Sequence, residues 1–428
     1  MGAMLDIKFI RENAGVIKEA ARKKRIRFDV GELLELDMQR LALLDEIEQL
    51  RAEQYRAHGE TRTTSVIAES SEGVGTPLKG VKERLQAAEE EHKKIMHAWQ
   101  VLMLSVPNLP DFSVPEGESD ADNQETHAWG ERPQFPFTPK DHAQLMATLD
   151  MLDSERGVKL AGPRGHVLKG DGVRLSLALW QCALDFFAAK GFTPLLVPSL
   201  VRREPFLGTG FLPQGEENLY VTQDGEFLSG TAEVATMGYH MNEMLDPHVF
   251  PLKYLSFSPC FRRAAGSHGQ DVHGLFCTQE FYEIQQVMLC EANHESSVKF
   301  HEWLTRNTEE FLELLGLPYR TVVACGADLG LGQVKKYKIE LWVPFEQRYR
   351  EMSSTSYFHD FETRRLHIRY RDVGGKLRYA HSLSSTAMST PRLLVSLVEH
   401  YQQVDGAIRV PEALVKYVGT EVLGCSLT

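Results

Sequence analysis

The chain has no apolar run near the roughly 18 residues that a membrane-spanning helix needs, so a helical membrane protein is excluded. No charged-then-apolar segment opens it, and a cytoplasmic setting is expected. Paired cysteines are also missing. The six cysteines stand singly at 182, 260, 277, 290, 325 and 425. Without a CxxC pair, a zinc site built on cysteines is disfavoured, and single thiols fit a reducing compartment. Positive charge is scarce: the net is −12, so any binding of nucleic acid must come from local patches. No GxxxxGK[ST] loop and no GxGxxG after a strand occurs, which disfavours P-loop and Rossmann nucleotide sites.

What is present is an ordinary globular composition, 43% hydrophobic and 25% charged, over 428 residues. That length exceeds one ordinary core and sets an expectation of two domains. Residues 5–26 carry Ile7, Phe9, Ile10, Val16 and Ile17 among basic residues, a helical pattern. Leu34, Leu41, Leu44, Ile47 and Leu50 keep helical spacing from Leu33 to about Ala57. A polar stretch from Gly59 to Pro77 interrupts it, and a second helical run from about Leu78 to Leu104 ends at Pro107-Asn108-Leu109-Pro110. Two such helices form an antiparallel hairpin, which as an isolated feature is equally an ordinary coiled-coil spacer. Residues 111–140 read as a linker. Beyond them β-like runs alternate with helices at 193–197, 253–258, 275–289, 320–324 and 337–343. This pattern predicts an α+β domain with an antiparallel sheet.

Four segments carry chemistry. In Phe261–Leu289 a strand ends in FRR, a Gly-bearing loop follows, and a second strand returns. Alternation puts Cys277, Gln279, Phe281, Glu283 and Gln285 on one face of that strand. A polar face around one aromatic suits a ligand that stacks on the ring, or else a solvent-facing hairpin. In Ser389–Tyr401, Thr390 is the expected N-cap and Pro391 the first helical residue of an apolar-striped helix. Arg392 then sits in the first turn, where a cation is locally unfavourable unless an anion or carboxylate offsets it. Thr231-Ala232-Glu233 and Arg350–Ser356 add hydroxyls and carboxylates that suit Mg²⁺ beside phosphates, although either alone is weak evidence.

Taken together and in this order, the segments resemble those of seryl-tRNA synthetases, which are class II aminoacyl-tRNA synthetases. The likeness runs from MLDIKFIREN and LMLSVPNLP through GTGFLPQGEENLY, FLSGTAEVA, FSPCFRRAAGSHGQD, RYREMSS and STPRLLVSLVEHYQ. The resemblance implies an antiparallel catalytic sheet flanked by helices over 111–428 and a helical arm over 1–110. It implies a homodimer, and activation of serine by ATP with Mg²⁺ before transfer to tRNA gripped by the arm. It implies that Arg262 bridges the serine carboxylate and the α-phosphate. Phe281 then stacks on adenine, Arg392 meets the γ-phosphate, and Glu351 and Ser354 hold Mg²⁺. Thr231, Glu233, Gln285, Ser384 and Thr386 fall at serine-pocket positions.

The chain departs from the family pattern at chemically important places. Ala264 replaces an acid. Gln270, His273 and Cys277 stand at three basic positions. Glu283 replaces a Lys, Gln285 replaces a Glu, and Lys338 replaces an Asp. Losing one charge-assisted contact to a phosphate at Cys277 costs about 1.5–3 kcal/mol. Arg263 and Lys338 are the candidates to supply that charge. From 36 to 100 nine basic residues face twelve acidic ones, a net of −3, so the arm is a weakened grip for RNA. Two alternatives follow: an enzyme that activates a different small amino acid for an acceptor other than tRNA, and a catalytically impaired paralogue with a binding role.

Overall fold

The structure, a computed structural model, describes residues 5–64, 75–263 and 274–424, without the side chains of 57–64 and 75–78. It divides into two compact units. One comprises Ala3–Arg22 and Arg27–Pro107, the other Lys23–Ile26 and Asn108–Thr428 besides the first two residues.

The smaller unit is built on helices α1 (Val30–Thr64) and α2 (Gly75–Leu104). Ile47 and Leu50 of α1 pack on Val81, Leu85 and Ala88 of α2. The pairs Arg51–Glu89 at 2.7 Å and Arg84–Glu53 at 3.9 Å run in opposite chain directions, as an antiparallel hairpin requires. Both pairs are exposed, so apolar packing holds the helices and the ion pairs add little. The segment before them is two helices, Ile7–Glu12 and Ala14–Lys23, not the single stretch expected over 5–26. The break falls at Asn13, whose side-chain amide donates to the Phe9 carbonyl at 3.0 Å and closes the first helix. Of the interruption expected over 59–77, the ends are helical, and 65–74 lie outside the described residues.

The larger unit carries an eight-stranded sheet: β1 (Gln124–Trp129), β2 (Thr193–Leu196), β3 (Leu252–Phe261), β4 (Glu280–Cys290), β5 (Tyr319–Val323), β6 (Lys335–Val343), β7 (Arg348–His359) and β8 (His381–Ser389). Their order is β1-β5-β6-β7-β8-β4-β3-β2. Every neighbouring pair is antiparallel except β2–β3, which is parallel. The returning strand expected from Leu275 starts only at Glu280, because 275–279 pair with no strand. Leu275 is fastened instead by its N–H to His142 Nε2 at 3.1 Å, while His142 Nδ1 meets Glu399 at 2.9 Å. Gly274 next to it has φ +68°, and a Cβ there would lie 1.9 Å from His142 Nε2, so only glycine fits.

Strand β4 sorts its residues by face. Ile284 and Met288 enter the main core with Leu304, Phe311, Leu394 and Leu397. Gln286, on the same side, is buried but satisfied: it donates to Thr308 at 3.0 Å and accepts from Asn307 at 3.2 Å. On the other face Val287 and Leu289 pack with Met237 and Ile368. The residues before them on that face, Phe281, Glu283 and Gln285, open into cavities. Among the helices of this unit are α3 (Gly170–Ala189), α4 (Ala232–Gly238), α5 (His294–Leu314) and α6 (Thr390–His400).

His301 on α5 is fully buried, donates from Nε2 to the Thr355 carbonyl at 2.9 Å, and stacks on Tyr337. Burial pushes its pKa down to about 4, and His381 and His400 are pushed to about 4 by burial as well. These rings fold neutral, so the unfolded chain binds more protons between about pH 6.5 and 4. Their contribution is therefore intact above about pH 6.5 and is lost as pH falls toward 4. Urea unfolding monitored from pH 7.5 to 4.5 should show a falling midpoint, with a shallower fall in His301→Gln.

Candidate active site

Arg262 follows β3. Its Nε donates to the Gly230 carbonyl at 3.1 Å, and its guanidinium lies 5.0 Å from the centre of the Phe281 ring. Gly230 allows this approach, since a Cβ there would stand 3.3 Å from Arg262 Cγ and 3.2 Å from the Phe261 carbonyl oxygen. Thr231 caps α4 by accepting the Glu233 N–H at 3.2 Å, and its hydroxyl donates to Glu283 Oε1 at 2.9 Å. Glu233 accepts from the Ser384 hydroxyl of β8, and Ser384 accepts in turn from Gln285 Nε2 at 2.5 Å.

At the other end of the site, Arg392 of α6 donates to the Glu351 carbonyl at 3.1 Å and stands 3.7 Å from its carboxylate. This helix begins one residue earlier than expected. Its N-cap is Ser389, without a side-chain cap bond, and Thr390 is occupied by Trp180, whose indole N–H donates to it at 2.7 Å. Arg392 still falls in the first turn, and the Glu351 carboxylate supplies a nearby anion.

Two adjoining cavities collect the residues singled out in the sequence. The first, of about 310 Å³, is lined by Arg262, Phe281, Glu283, Glu351, Ser354, Thr386 and Arg392 among others. The second, of about 400 Å³, is lined by Thr231, Glu233, Glu283, Gln285, Ser384 and Thr386, with Arg262 and Ser354 again on its wall. Phe281, Glu283 and Gln285 thus step from one cavity into the other along β4. A larger apolar hollow of about 540 Å³ beside α3 shares Phe281 and Arg164 but holds none of the carboxylates of the other two.

The charge missing at Cys277 has neighbours. Arg164, Arg262, Arg263 and Arg392 all line the same cavity as Cys277. Lys338 does not. Its ammonium is taken by Glu351 at 3.1 Å and Asp328 at 2.5 Å. Burial pulls the Lys338 pKa down, but those two carboxylates outweigh it and the net shift is upward. Of the departures in the loop, Ala264, Gln270 and His273 lie outside the described residues.

The acids of the second cavity are electrostatically unequal. Burial raises the Glu283 pKa to about 6, against the pull of Arg262 and Thr231. Burial also raises Glu233, while Glu362 behind it is raised much further by burial and by the Glu233 charge. Glu362 is fully buried, which disfavours its charged form. Nothing in the sequence marked Glu362, nor Lys24. Lys24 sits in a basic run, ARKKRIRF, that reads as a solvated surface. Its ammonium is buried instead and donates to the carbonyls of Gly330 at 3.1 Å, Leu331 at 2.9 Å and Gln333 at 2.6 Å. Those carbonyls belong to the loop that walls the second cavity.

The donor set for a metal is small. Glu351 and Ser354 offer hard oxygens, and among the described residues no cluster of three acidic, His or Cys side chains gathers. That fits Mg²⁺ arriving with a nucleotide, since the ion binds through one or two carboxylates plus phosphates and keeps waters elsewhere.

The sequence profile of the seryl-tRNA synthetase N-terminal domain matches residues 4–110, and that of the tRNA synthetase class II core domain (G, H, P, S and T) matches 220–401. The serine–tRNA ligase of Deinococcus radiodurans is 42% identical over 98% of this chain and 99% of its own. The chain belongs to the seryl-tRNA synthetase family. The serine–tRNA ligase of Thermodesulfovibrio yellowstonii is 40% identical over 98% of this chain and all of its own. Among solved structures, the Pyrococcus horikoshii seryl-tRNA synthetase complexed with ATP superposes with a TM-score of 0.87 at 34% identity, over 98% of this chain and 99% of that one. The cytoplasmic serine–tRNA ligase of Naegleria fowleri in complex with AMP gives 0.83 at 30% identity, each chain being 99% covered. No helix among the described residues is long and apolar enough to cross a membrane.

Substituting Lys24→Met removes the donor of three carbonyls, that of Leu331 buried and those of Gly330 and Gln333 part-buried, which should cost about 1–3 kcal/mol in urea-unfolding free energy. Because the strut acts on the loop of the second cavity, the amino-acid KM should rise while the ATP KM stays within about two-fold.

Proposed function

We propose that this chain is a serine–tRNA ligase: it activates serine with ATP to seryl-adenylate and passes the seryl group to tRNA. The observation that carries this reading is the continuity of the site along β4. An aromatic platform, a bridging arginine and a hydroxyl- and carboxylate-lined pocket follow one another across two joined cavities, in a chain related to serine–tRNA ligases over nearly its whole length.

In this reading adenine rests on Phe281 and the triphosphate runs toward Arg392. Arg262 spans both cavities and holds the serine carboxylate against the α-phosphate. A carboxylate oxygen attacks the α-phosphorus as the bond to the β-phosphate oxygen breaks and pyrophosphate leaves. The terminal hydroxyl of tRNA then attacks the seryl carbonyl and releases AMP. The protein orients the reactants and neutralises charge; it contributes no nucleophile. Glu351 and Ser354 would hold Mg²⁺, whose charge would offset that of the phosphates. Thr231, Glu233, Gln285, Ser384 and Thr386 would surround the serine. Arg164 and Arg263 would restore cationic character beside Cys277, so the loss of a basic residue there is compatible with activity.

The arm over 1–110 would contact tRNA, and its α2 exposes Lys79, Lys82, Arg84, Lys93 and Lys94, which can meet phosphates despite the net negative charge. A homodimer of the 111–428 domain is supported by apolar side chains left exposed near the β2 edge, with Leu177 at 51% and Leu196 at 80% exposure. A cytoplasmic setting agrees with the five unpaired cysteines among the described residues.

ATP–pyrophosphate exchange with each of the twenty amino acids tests the reading. Serine alone should support exchange, and Arg262→Ala should lower it by at least 100-fold. Exchange with a different amino acid, or none from folded protein, contradicts it.

A further inference from the structure

Two acceptors in the second cavity are under-used. Gln285 is 4% exposed, and its Oε1 is buried without a hydrogen-bond partner among the described residues. Its amide nitrogen is already committed to Ser384. Glu283 is 3% exposed, and among the described residues its only hydrogen-bond donor is the Thr231 hydroxyl, on Oε1. Among the described residues its other oxygen accepts no hydrogen bond. A buried carboxylate with one donor is costly unless a cation completes it. The neighbouring acids are differently placed. Glu233 is served by Ser384, and Glu351 by Lys338 and Arg392.

The two acceptors are two residues apart on one face of β4, and they differ in charge. Alternate residues on a strand are about 6.6 Å apart. That separation matches a small molecule that places a cation at one end and a hydroxyl at the other, with a hydrogen bond of about 2.8 Å on each side. Arg262, on the same cavity wall as Glu283, leaves room for a carboxylate next to the cation. An anion, a cation and a hydroxyl in that order describe a hydroxylated amino acid.

We propose that Glu283 is the specificity-determining residue that holds the ammonium group of the amino acid, while Gln285 Oε1 accepts its side-chain hydroxyl. The neutral amide at 285 cannot carry the ammonium as a carboxylate would, and Glu283 takes over that charge one strand repeat nearer to Arg262. This assignment rests on the amino-acid-activating reading of the site.

The test uses ATP–pyrophosphate exchange by the full chain, with serine as substrate and L-glycerate as competitor. L-glycerate keeps the carboxylate and hydroxyl but lacks the ammonium. In Glu283→Gln the serine KM should rise roughly 10- to 150-fold, the loss of one charge-assisted hydrogen bond. The ATP KM and the glycerate inhibition constant should stay within about two-fold, and Glu283→Asp should recover part of the loss. If Glu283 merely supported Thr231 or Arg262, glycerate and ATP would weaken together with serine, and the proposal would fall. A serine KM unchanged in Glu283→Gln overturns it as well, while leaving serine activation by the wild type intact. Absence of any serine exchange by the wild type overturns both the assignment and the reading it rests on. Should Glu283→Gln fail to fold, Glu283→Asp alone decides, through a serine KM that rises while glycerate does not respond.

Discussion

One strand in this molecule must bury charge. β4 lies inside the sheet, hydrogen-bonded along both edges to β8 and β3, and its side chains are largely buried. Its far half answers with apolar side chains, and Gln286 answers with a complete set of hydrogen bonds. Its near half carries Phe281, Glu283 and Gln285, and much of the surrounding architecture compensates for that. Thr231 caps a short helix and donates to Glu283. Ser384 links Gln285 to Glu233. Arg262 is held over Phe281 by the Gly230 carbonyl. A sheet built for stability alone would fill these positions with Val or Ile. The cavities on either side of Glu283 exist because it does not.

The same constraint accounts for the chain's substitutions better when they are taken together than singly. Removal of a carboxylate at 285 is matched by a gain of one at 283, two residues away on the same face. Loss of an acid at 338 brings a lysine whose ammonium is neutralised by Asp328 and Glu351. A cysteine at 277 faces a wall that holds four arginines.

How far the sequence alone reached depended on the kind of signal. Period-two alternation put Phe281, Glu283 and Gln285 on one face, and the helix signals around Pro391 put Arg392 in a first turn. Both readings rest on local geometry. The strand start at Leu275 and the cap at Thr390 failed for a tertiary reason: His142 captures the Leu275 N–H, and Trp180 occupies the Thr390 hydroxyl. Lys24 and Glu362 were invisible because their importance comes from partners more than 100 residues away. Lys24 reaches carbonyls some 306 residues distant in sequence. Glu362 is pushed up by burial and by the charge of Glu233, on another element. A basic run and a lone glutamate have no spacing that betrays such burial.

The account stands on the order of subsites along β4, and a crystal structure with a non-hydrolysable seryl-adenylate analogue tests that order directly. The adenine ring should stack on Phe281, the linkage between the adenosine and seryl parts should meet Arg262, and the seryl hydroxyl should lie within 3.2 Å of Gln285 Oε1. An analogue bound in the apolar hollow beside α3, or lying in the reverse direction along the strand, would contradict it.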